Sequence, residues 1–483
     1  MNFEFYKVMD KFLNILKKLI PRKIFQKAQP AYHFLLNWLA ALVYKYPSEK
    51  MIVVGVTGTT GKTTSVYMTA QVLENAGYKV GYTSTALFSD GEKLWLNDKK
   101  MTMVGRFFTQ KILSQMMKNG CQYAIVETTS EGIRQYRHRF INYDILVFTG
   151  LYPEHIESHG SFENYKQAKG ELFAHLKKGK TKYTDDEKKT QKVDKNIKKI
   201  DLNRVKKTII ANGDDDEVNY FLDFWAERKI IYTQAEDYET EREDLDKIFS
   251  YDDIQVDKKG VKFNWENKPV KLQLLGKHNA QNSVTAATVA SSQDIEKEII
   301  IKGLESIKSI AGKMERIEEG QNFTVIVDYA FEPRAMENLY TTLESLDYNN
   351  LIQVLGAAGG GRDTEKRPKL GKMAGEKAEK VIVTNEDPYD EDPETIIAQV
   401  ASGAEYAGKR EGKDLFKITD RREAIRKALE LARENDIVLI TGKGCEQAIC
   451  LAGGEKKKWD DREVVREELR HPNTSNERPN DPN

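Results

Sequence analysis

The segment Gly55-Val56-Thr57-Gly58-Thr59-Thr60-Gly61-Lys62-Thr63-Thr64 follows the apolar run Met51-Ile52-Val53-Val54, and its residue types suit the holding of a polyphosphate. Glycines let backbone N–H groups close around phosphate oxygens. A lysine in the place of Lys62 reaches the β- and γ-phosphates, and a hydroxyl in the place of Thr63 ligates Mg²⁺ at a helix start. Thr57, Gly58, Thr59, Thr60, Gly61, Lys62, Thr63 and Thr64 are therefore expected to bind ATP. Val56 occupies the place of the usual first glycine of such loops. A second group of chemically able residues lies further on, in Glu127-Thr128-Thr129-Ser130-Glu131, in Tyr152-Pro153-Glu154-His155-Ile156-Glu157-Ser158-His159-Gly160 and in Tyr165–Phe173 with Lys169. Phosphates bound there would crowd negative charge into one place, and cations must offset it.

The elements needed to position these residues read as α/β. Ala124–Val126 and Asp144–Phe148 look like buried strands, with helical stretches at Phe107–Lys118 and Asn164–Leu176, as in a parallel sheet whose following loops carry chemistry. The expected fold is a central P-loop parallel-sheet ATPase domain over residues 51–310, a Rossmann-like C-terminal domain over 311–455 and a short helical segment over 1–50. Strands at Phe323–Asp328, Leu351–Leu355, Lys380–Thr384 and Asp436–Thr441 build the second domain. Residues 177–207 are rich in lysine and aspartate and read as a solvated insertion, and 456–483 read as a disordered tail.

Lysine plus arginine and aspartate plus glutamate number 75 each, so overall charge gives no argument for a nucleic-acid partner. Cys121, Cys445 and Cys450 form neither a metal pattern nor a disulfide framework and fit a reducing cytoplasm. The apolar stretch Phe34–Tyr44 is too short to span a bilayer. Residues 17–45 combine it with the basic Lys17–Lys23, so they suit either packing on the next domain or peripheral contact with the inner, anionic membrane face. Packing is preferred, an amphipathic face being usually core.

Thr57-Gly58-Thr59-Thr60-Gly61-Lys62-Thr63-Thr64 resembles the phosphate loop of the Mur ligase family, and the later segments resemble its active centre. The resemblance implies that Glu127 and His155 hold a second Mg²⁺ beside the one at Thr63. It also implies that Lys169, within Ala168-Lys169-Gly170-Glu171-Leu172-Phe173, is carbamoylated and supports that ion. Gly276-Lys277-His278-Asn279-Ala280-Gln281-Asn282 resembles the adenine-side motif, placing Asn279 and Asn282 near the nucleotide. Gly312-Lys313-Met314-Glu315-Arg316 and Asp328-Tyr329-Ala330-Phe331-Glu332-Pro333 resemble two further motifs. These add Arg316 to the nucleotide side and set Asp328 across the cleft from the phosphates. Phe331 replaces the family's histidine.

Within the family the resemblance is to the MurE-type branch, which adds the third residue of the peptidoglycan stem peptide. It implies a muramoyl-peptide substrate held by Thr102, Thr129, Gln135 and Arg137, and a free amino acid. The amino acid's carboxylate meets Arg362 of Gly360–Pro368, and its amine meets Glu446 of Gly442-Lys443-Gly444-Cys445-Glu446. Branch members that select meso-diaminopimelate show D-N-P-R, whereas this chain reads Glu386-Asp387-Pro388-Tyr389. With no arginine for a second carboxylate, the expected amino acid is L-lysine or a related diamine, its ammonium near Glu386, Asp387 and Glu446. About fifty residues precede the first strand, too few for the branch's uridine-nucleotide domain, so that domain is expected to be lacking. Rival expectations are a folylpolyglutamate- or cyanophycin-type ligase, and a catalytically idle nucleotide-binding partner.

Overall fold

A computed structural model describes residues 22–99, 101–153, 159–191, 202–235, 238–361 and 364–471, with side chains from residue 29 onward. His155, Arg362, the basic residues before Arg22, the middle of the 177–207 stretch and the chain beyond His471 lie outside the described residues.

Strand β1 (Ile52–Thr57) is buried along its whole length. Its run of valines suits a strand covered on both faces, where branched side chains pack against helices above and below. It pairs in parallel with β5 (Tyr123–Glu127) on one side and β6 (Ile145–Phe148) on the other. Beyond β5 lie β2 (Val80–Thr83), β3 (Leu87–Ser89) and β4 (Leu94–Leu96). Beyond β6 lie β10 (Thr208–Asn212), β11 (Arg228–Thr233) and a meander of β12 (Lys247–Asp257), β13 (Gly260–Trp265) and β14 (Lys268–Leu272). Among the described residues these form one eleven-stranded sheet in the order β14-β13-β12-β11-β10-β6-β1-β5-β2-β3-β4. Two apolar layers cover it, one including Val66, Val72 and Ala287, the other including Leu113, Phe148 and Phe173.

The C-terminal sheet runs β15-β16-β20-β17-β18-β19. Its strands are β15 (Glu315–Ile317), β16 (Thr324–Asp328), β17 (Leu351–Leu355), β18 (Lys380–Val383), β19 (Leu415–Lys417) and β20 (Ile437–Thr441). All neighbours are parallel except β15 with β16. The expected α/β class, with two largely parallel sheets, is the one observed.

Two compositional expectations fail. The stretch from 456 was expected to be a disordered tail, yet Lys456–Lys458 pair with Ala448–Cys450 and a helix spans Asp461–Arg470. Val464 and Val465 of that helix are buried, and its charged residues are engaged: Asp461 with Arg421 at 2.7 Å, Glu468 with Arg426 at 2.7 Å and Arg470 with Glu319 at 2.8 Å. Charge there marks ion pairing to the domain rather than solvation. The described part of 177–207 is likewise not simply solvated. β7 (Lys182–Thr184) pairs with β8 (Thr190–Gln191) and β9 (Asn203–Val205). Lys182 and Lys207 are buried with Asp144, at 2.5 Å and 2.9 Å, beneath the start of β6. Lys182 also donates to Met51 O and Asn142 O, and Lys207 to Asn142 Oδ1. Burial pulls the Lys182 ammonium down to about 8, against the attraction of Asp144.

Helix α1 (Arg22–Val43) lies against the central unit with Leu36, Asn37, Ala40 and Ala41 inward, while Phe34, Leu35, Trp38 and Leu42 face outward. Among the described residues no helix is long and apolar enough to cross a membrane. Removing the Asp144 charge leaves two buried ammoniums facing each other. Asp144→Asn is expected to lower unfolding free energy by about 3 kcal/mol, as read by urea denaturation of the full chain.

Candidate functional site

Because β1, β5 and β6 run in parallel, their C-terminal ends deliver three loops to one place. The first leads from Thr57 into helix α2 (Lys62–Asn75). Gly61 at its N-terminus has φ +78°, and a Cβ there would lie 2.6 Å from Asn282 Oδ1. Gly58 is packed as closely on Thr149. Only glycine leaves room for this turn against its neighbours, so the loop amides stay accessible. Lys62 Nζ lies back over the loop and donates to Thr59 O at 2.5 Å, and Thr149 Oγ1 donates to Thr60 O at 2.7 Å.

The second begins at Glu127, the last residue of β5, which is 1% exposed. Thr63 Oγ1 donates to its Oε2 at 2.9 Å. Thr85 donates to both carboxylate oxygens, from its amide at 2.8 Å and from its hydroxyl at 2.9 Å. Thr85 has no motif around it, and sequence reasoning missed it. Thr102 Oγ1 lies 2.8 Å from Thr85 Oγ1, and Thr129 caps the short helix α4 (Ser130–Arg134) by accepting from Gly132 N.

The third side of the site comes from helix α5 (Phe162–Leu176), in which Lys169 is 1% exposed and donates to Gly58 O at 2.8 Å beside the Tyr165 ring. The lysine therefore touches the phosphate loop from behind. His159, another residue that sequence reasoning missed, contacts Ser130 Oγ at 3.1 Å. Thr63 and Glu127 bring hard oxygen donors together at 2.9 Å, the donor class that Mg²⁺ takes along with phosphate oxygens. Among the described residues no three His, Cys, Asp or Glu side chains form a ready metal cluster.

Two cavities open between the units. One of 560 Å³ is lined by Thr60, Gly61, Asn279, Asn282, Arg316 and Asp328, among others. Helix α6 (His278–Ser291) supplies the two asparagines, and Asn282 Nδ2 donates to Asn279 Oδ1 at 3.1 Å. Arg316 lies at the mouth and donates to Lys258 O across the units at 3.1 Å. The second, of 350 Å³, joins Lys62, Thr63, Thr102, Glu127 and Thr129 to Asp328, Tyr329 and Phe331. Asp328 Oδ2 accepts from Met314 N and Oδ1 from Ala330 N, both at 2.7 Å, so its carboxylate also holds the entry to the C-terminal unit. Phe331, in the expected place of a histidine, packs edge-on against Tyr329 with Lys366 over its face.

On the C-terminal unit, the loops after β18 and β20 meet. Lys443 is fully buried and bridges Asp387 at 2.8 Å and Glu446 at 2.6 Å, while Tyr329 OH donates to Glu446 Oε1 at 3.2 Å. Lys443 lies inside the Gly442–Glu446 segment, yet sequence reasoning gave it no part. Glu386 presses on Gly442, whose φ is +106°, and its buried Oε2 has no hydrogen-bond partner. Burial pushes its carboxyl up to about 7, with Asp387 and Glu446 adding repulsion and Lys443 and Arg421 opposing. Gln135 and Arg137 join each other at 2.6 Å and stand outside the lining of the 350 Å³ cavity.

Gly61→Ala must strain φ and crowd Asn282. It is expected to weaken ATP binding about tenfold, measured by nucleotide titration, and to lower the unfolding midpoint through the same strain.

A family model for the Mur ligase middle domain matches residues 56–290, and one for the Mur ligase glutamate ligase domain matches 312–444. A UDP-N-acetylmuramyl-tripeptide synthetase of Roseiflexus sp. (strain RS-1) is 36% identical over 441 residues, 89% of this chain and 81% of that protein. A UDP-N-acetylmuramoyl-L-alanyl-D-glutamate–2,6-diaminopimelate ligase of Geobacillus kaustophilus (strain HTA426) is 31% identical over 432 residues, 89% of this chain and 81% of the relative. A solved structure of a ligase of that second name is 25% identical, with a TM-score of 0.55 over 88% of this chain and 79% of the other.

Proposed function

The chain belongs to the Mur ligase family and is an ATP-dependent carbon–nitrogen ligase, and from that premise we propose that it adds a diamino acid, L-lysine or a close relative, to the D-glutamate of a muramoyl dipeptide. Its similarity to proteins named tripeptide synthetase supports the donor and the bond. The observation that carries the choice of amino acid is the acidic pocket of Glu386, Asp387 and Glu446. Lys443 offsets two of these carboxylates, and Glu386 is left buried with an oxygen that no hydrogen bond satisfies. A side-chain ammonium satisfies that oxygen. A second carboxylate is repelled by it and meets Tyr389 where an arginine would be required.

In the proposed reaction, the donor carboxylate attacks the γ-phosphate of ATP bound at the Gly58–Thr64 loop and forms an acyl phosphate with loss of ADP. The amine of the incoming amino acid attacks the acyl carbon and loses a proton, and the tetrahedral adduct collapses to the amide and phosphate. Lys62 and the loop amides hold the transferring phosphoryl group. Phe331, Tyr329 and Ala330 face that end of the cleft and exclude water from the acyl phosphate. Thr63 and Glu127 would hold Mg²⁺, which would supply neutralising charge at the phosphates. A second ion is assigned to Glu127, His155 and a carbamate on Lys169. Arg362 is assigned to the amino acid's main carboxylate and Glu446 to its reacting amine.

Incubation with ATP, Mg²⁺, UDP-N-acetylmuramoyl-L-alanyl-D-glutamate and single amino acids is expected to give a lysine-bearing tripeptide by mass spectrometry. A diaminopimelate product alone would overturn the amino-acid choice. Below pH 7 Glu386 is protonated and cannot pair with an ammonium, and above it the ionised form can. The KM for lysine is therefore expected to fall as pH rises from 6 to 8, and Glu386→Gln to flatten that dependence. Lys169→Ala is expected to lower kcat at least about 100-fold with ATP affinity retained, and unaltered turnover would remove the carbamate.

A further inference from the structure

Helix α1 is apolar on two faces. Its inward face holds it to the central unit: Leu36, Ala40 and Ala41 are buried, and Asn37 donates to Gln135 O at 3.1 Å. His33 Nδ1 is also hydrogen-bonded to Arg106 Nη2 at the start of helix α3 (Arg106–Lys118). The outward face carries Ala31, Phe34, Leu35, Trp38 and Leu42, positions that share one stripe of a helix. Phe34 marks the border of the stripe, its ring meeting Phe140 edge-on at 5.2 Å. Eight large apolar side chains are exposed among the described residues, and four of them, Phe34, Leu35, Trp38 and Leu42, stand on this stripe at 40% to 57% exposure. Apolar surface gathered in this way on a helix that is already packed on its other side marks a contact still to be made.

The charge around the stripe has one sign. From Lys11 to Ser48 the sequence holds seven lysines and arginines and no aspartate or glutamate, although the whole chain balances 75 cations with 75 acids. Arg22, Lys23 and Lys27 belong to helix α1 itself, ahead of the stripe. Arg139, after α4, places its guanidinium 6.0 Å from the centre of the Phe34 ring and 4.7 Å from that of Tyr136, and among the described residues it forms no ion pair. Glu49, the first acid after the helix, is paired with Lys180 at 2.6 Å, and Glu131 of α4 with Arg134 at 3.8 Å. A second copy of the chain on the stripe would set these cations against one another in a symmetric contact. An anionic surface offsets them. Indole and leucine side chains flanked by cations are the combination that seats a helix in a headgroup layer without crossing the bilayer.

We propose that the outward stripe of helix α1 is a docking surface for an anionic lipid bilayer. Leu35, Trp38 and Leu42 enter the headgroup layer, and the surrounding cations, Arg139 among them, meet lipid phosphates. The inward contacts stay in place, so helix α1 lies between the bilayer and the central unit and need not detach to dock. This goes beyond the reaction proposed above and does not depend on the donor or the amino acid joined.

The test sediments the full chain with vesicles of phosphatidylcholine alone and of phosphatidylcholine mixed with phosphatidylglycerol. Binding is expected to be at least about tenfold tighter to the mixed vesicles and to weaken with salt. The triple variant Leu35→Gln, Trp38→Gln, Leu42→Gln is expected to bind them at least about tenfold more weakly, with helix content and ATP affinity kept because the altered side chains are exposed. Brominated phosphatidylglycerol is expected to quench the tryptophan emission of the bound wild type, and Trp38→Phe to lose part of that quenching while still binding. Equal binding to the two vesicles overturns the anionic partner. A triple variant that binds like the wild type, or quenching unchanged in Trp38→Phe, overturns the stripe. Failure to sediment with either vesicle overturns the lipid surface, and a wild-type dimer that the triple variant breaks would then assign the stripe to a second copy of the chain.

Discussion

Parallel pairing of three strands is the constraint on which the site depends. Val54 is level with both Ile125 and Ile145, so β1, β5 and β6 end together. The phosphate loop, Glu127 and the Thr149–Tyr152 segment then leave the sheet side by side. A parallel sheet needs long crossovers, and these supply the helices bearing Lys62 and Lys169. The same rule repeats in the C-terminal sheet, where Asp328 ends β16 and Glu386 and Gly442 follow the ends of β18 and β20. The candidate cleft is the meeting of two sets of strand ends, one offering amides and cations, the other acids.

Charge in this molecule falls into two kinds, told apart by whether the partners saturate one another. Asp144 with Lys182 and Lys207, and Arg421 with Asp461, are closed groups, each further satisfied by backbone carbonyls or by the Trp459 indole. Such groups hold strand ends and helices in place. Glu386 and Arg137 are open, each keeping a buried polar atom without a partner. An orphaned atom costs free energy unless a ligand meets it.

The phosphate loop was legible from its own residue types behind a buried apolar strand, whereas Glu127, Lys169, Asn279, Asn282, Asp328 and Glu446 were picked out by their resemblance to family motifs, Lys169 and Asn282 lying within helices away from any strand end. What escaped reading depends on pairing between distant positions. Lys182 and Lys207 belong to a charged stretch by composition, and only Asp144, 38 and 63 residues away, brings them into the interior. The helix Asp461–Arg470 carries a narrow apolar face, so its acids and arginines hide the fact that they pair with Arg421, Arg426 and Glu319. Thr85 and the contact of His33 with Arg106 have no local signature, since each joins elements that the sequence shows separately.

The two half-sites communicate through few atoms. The chain crosses between units at Ile310–Lys313, where Ile310 and Lys313 form a bridge and Gly312, at φ +61°, lies directly against Cys445. Asp328 holds Met314 N immediately after this crossing, and Tyr329, its neighbour, holds Glu446. Asp328 and Glu446 are thereby tied to the crossing at Gly312 and, through Tyr329, to each other. A further contact, Arg334 over the Tyr152 ring at 3.9 Å, joins the helix after Phe331 to the loop after β6. Beside that contact Phe331 and Tyr329 line the same cavity as Lys62 and Thr63. Under the proposed reaction, exclusion of water and delivery of the nucleophile would depend on the same contacts between the units.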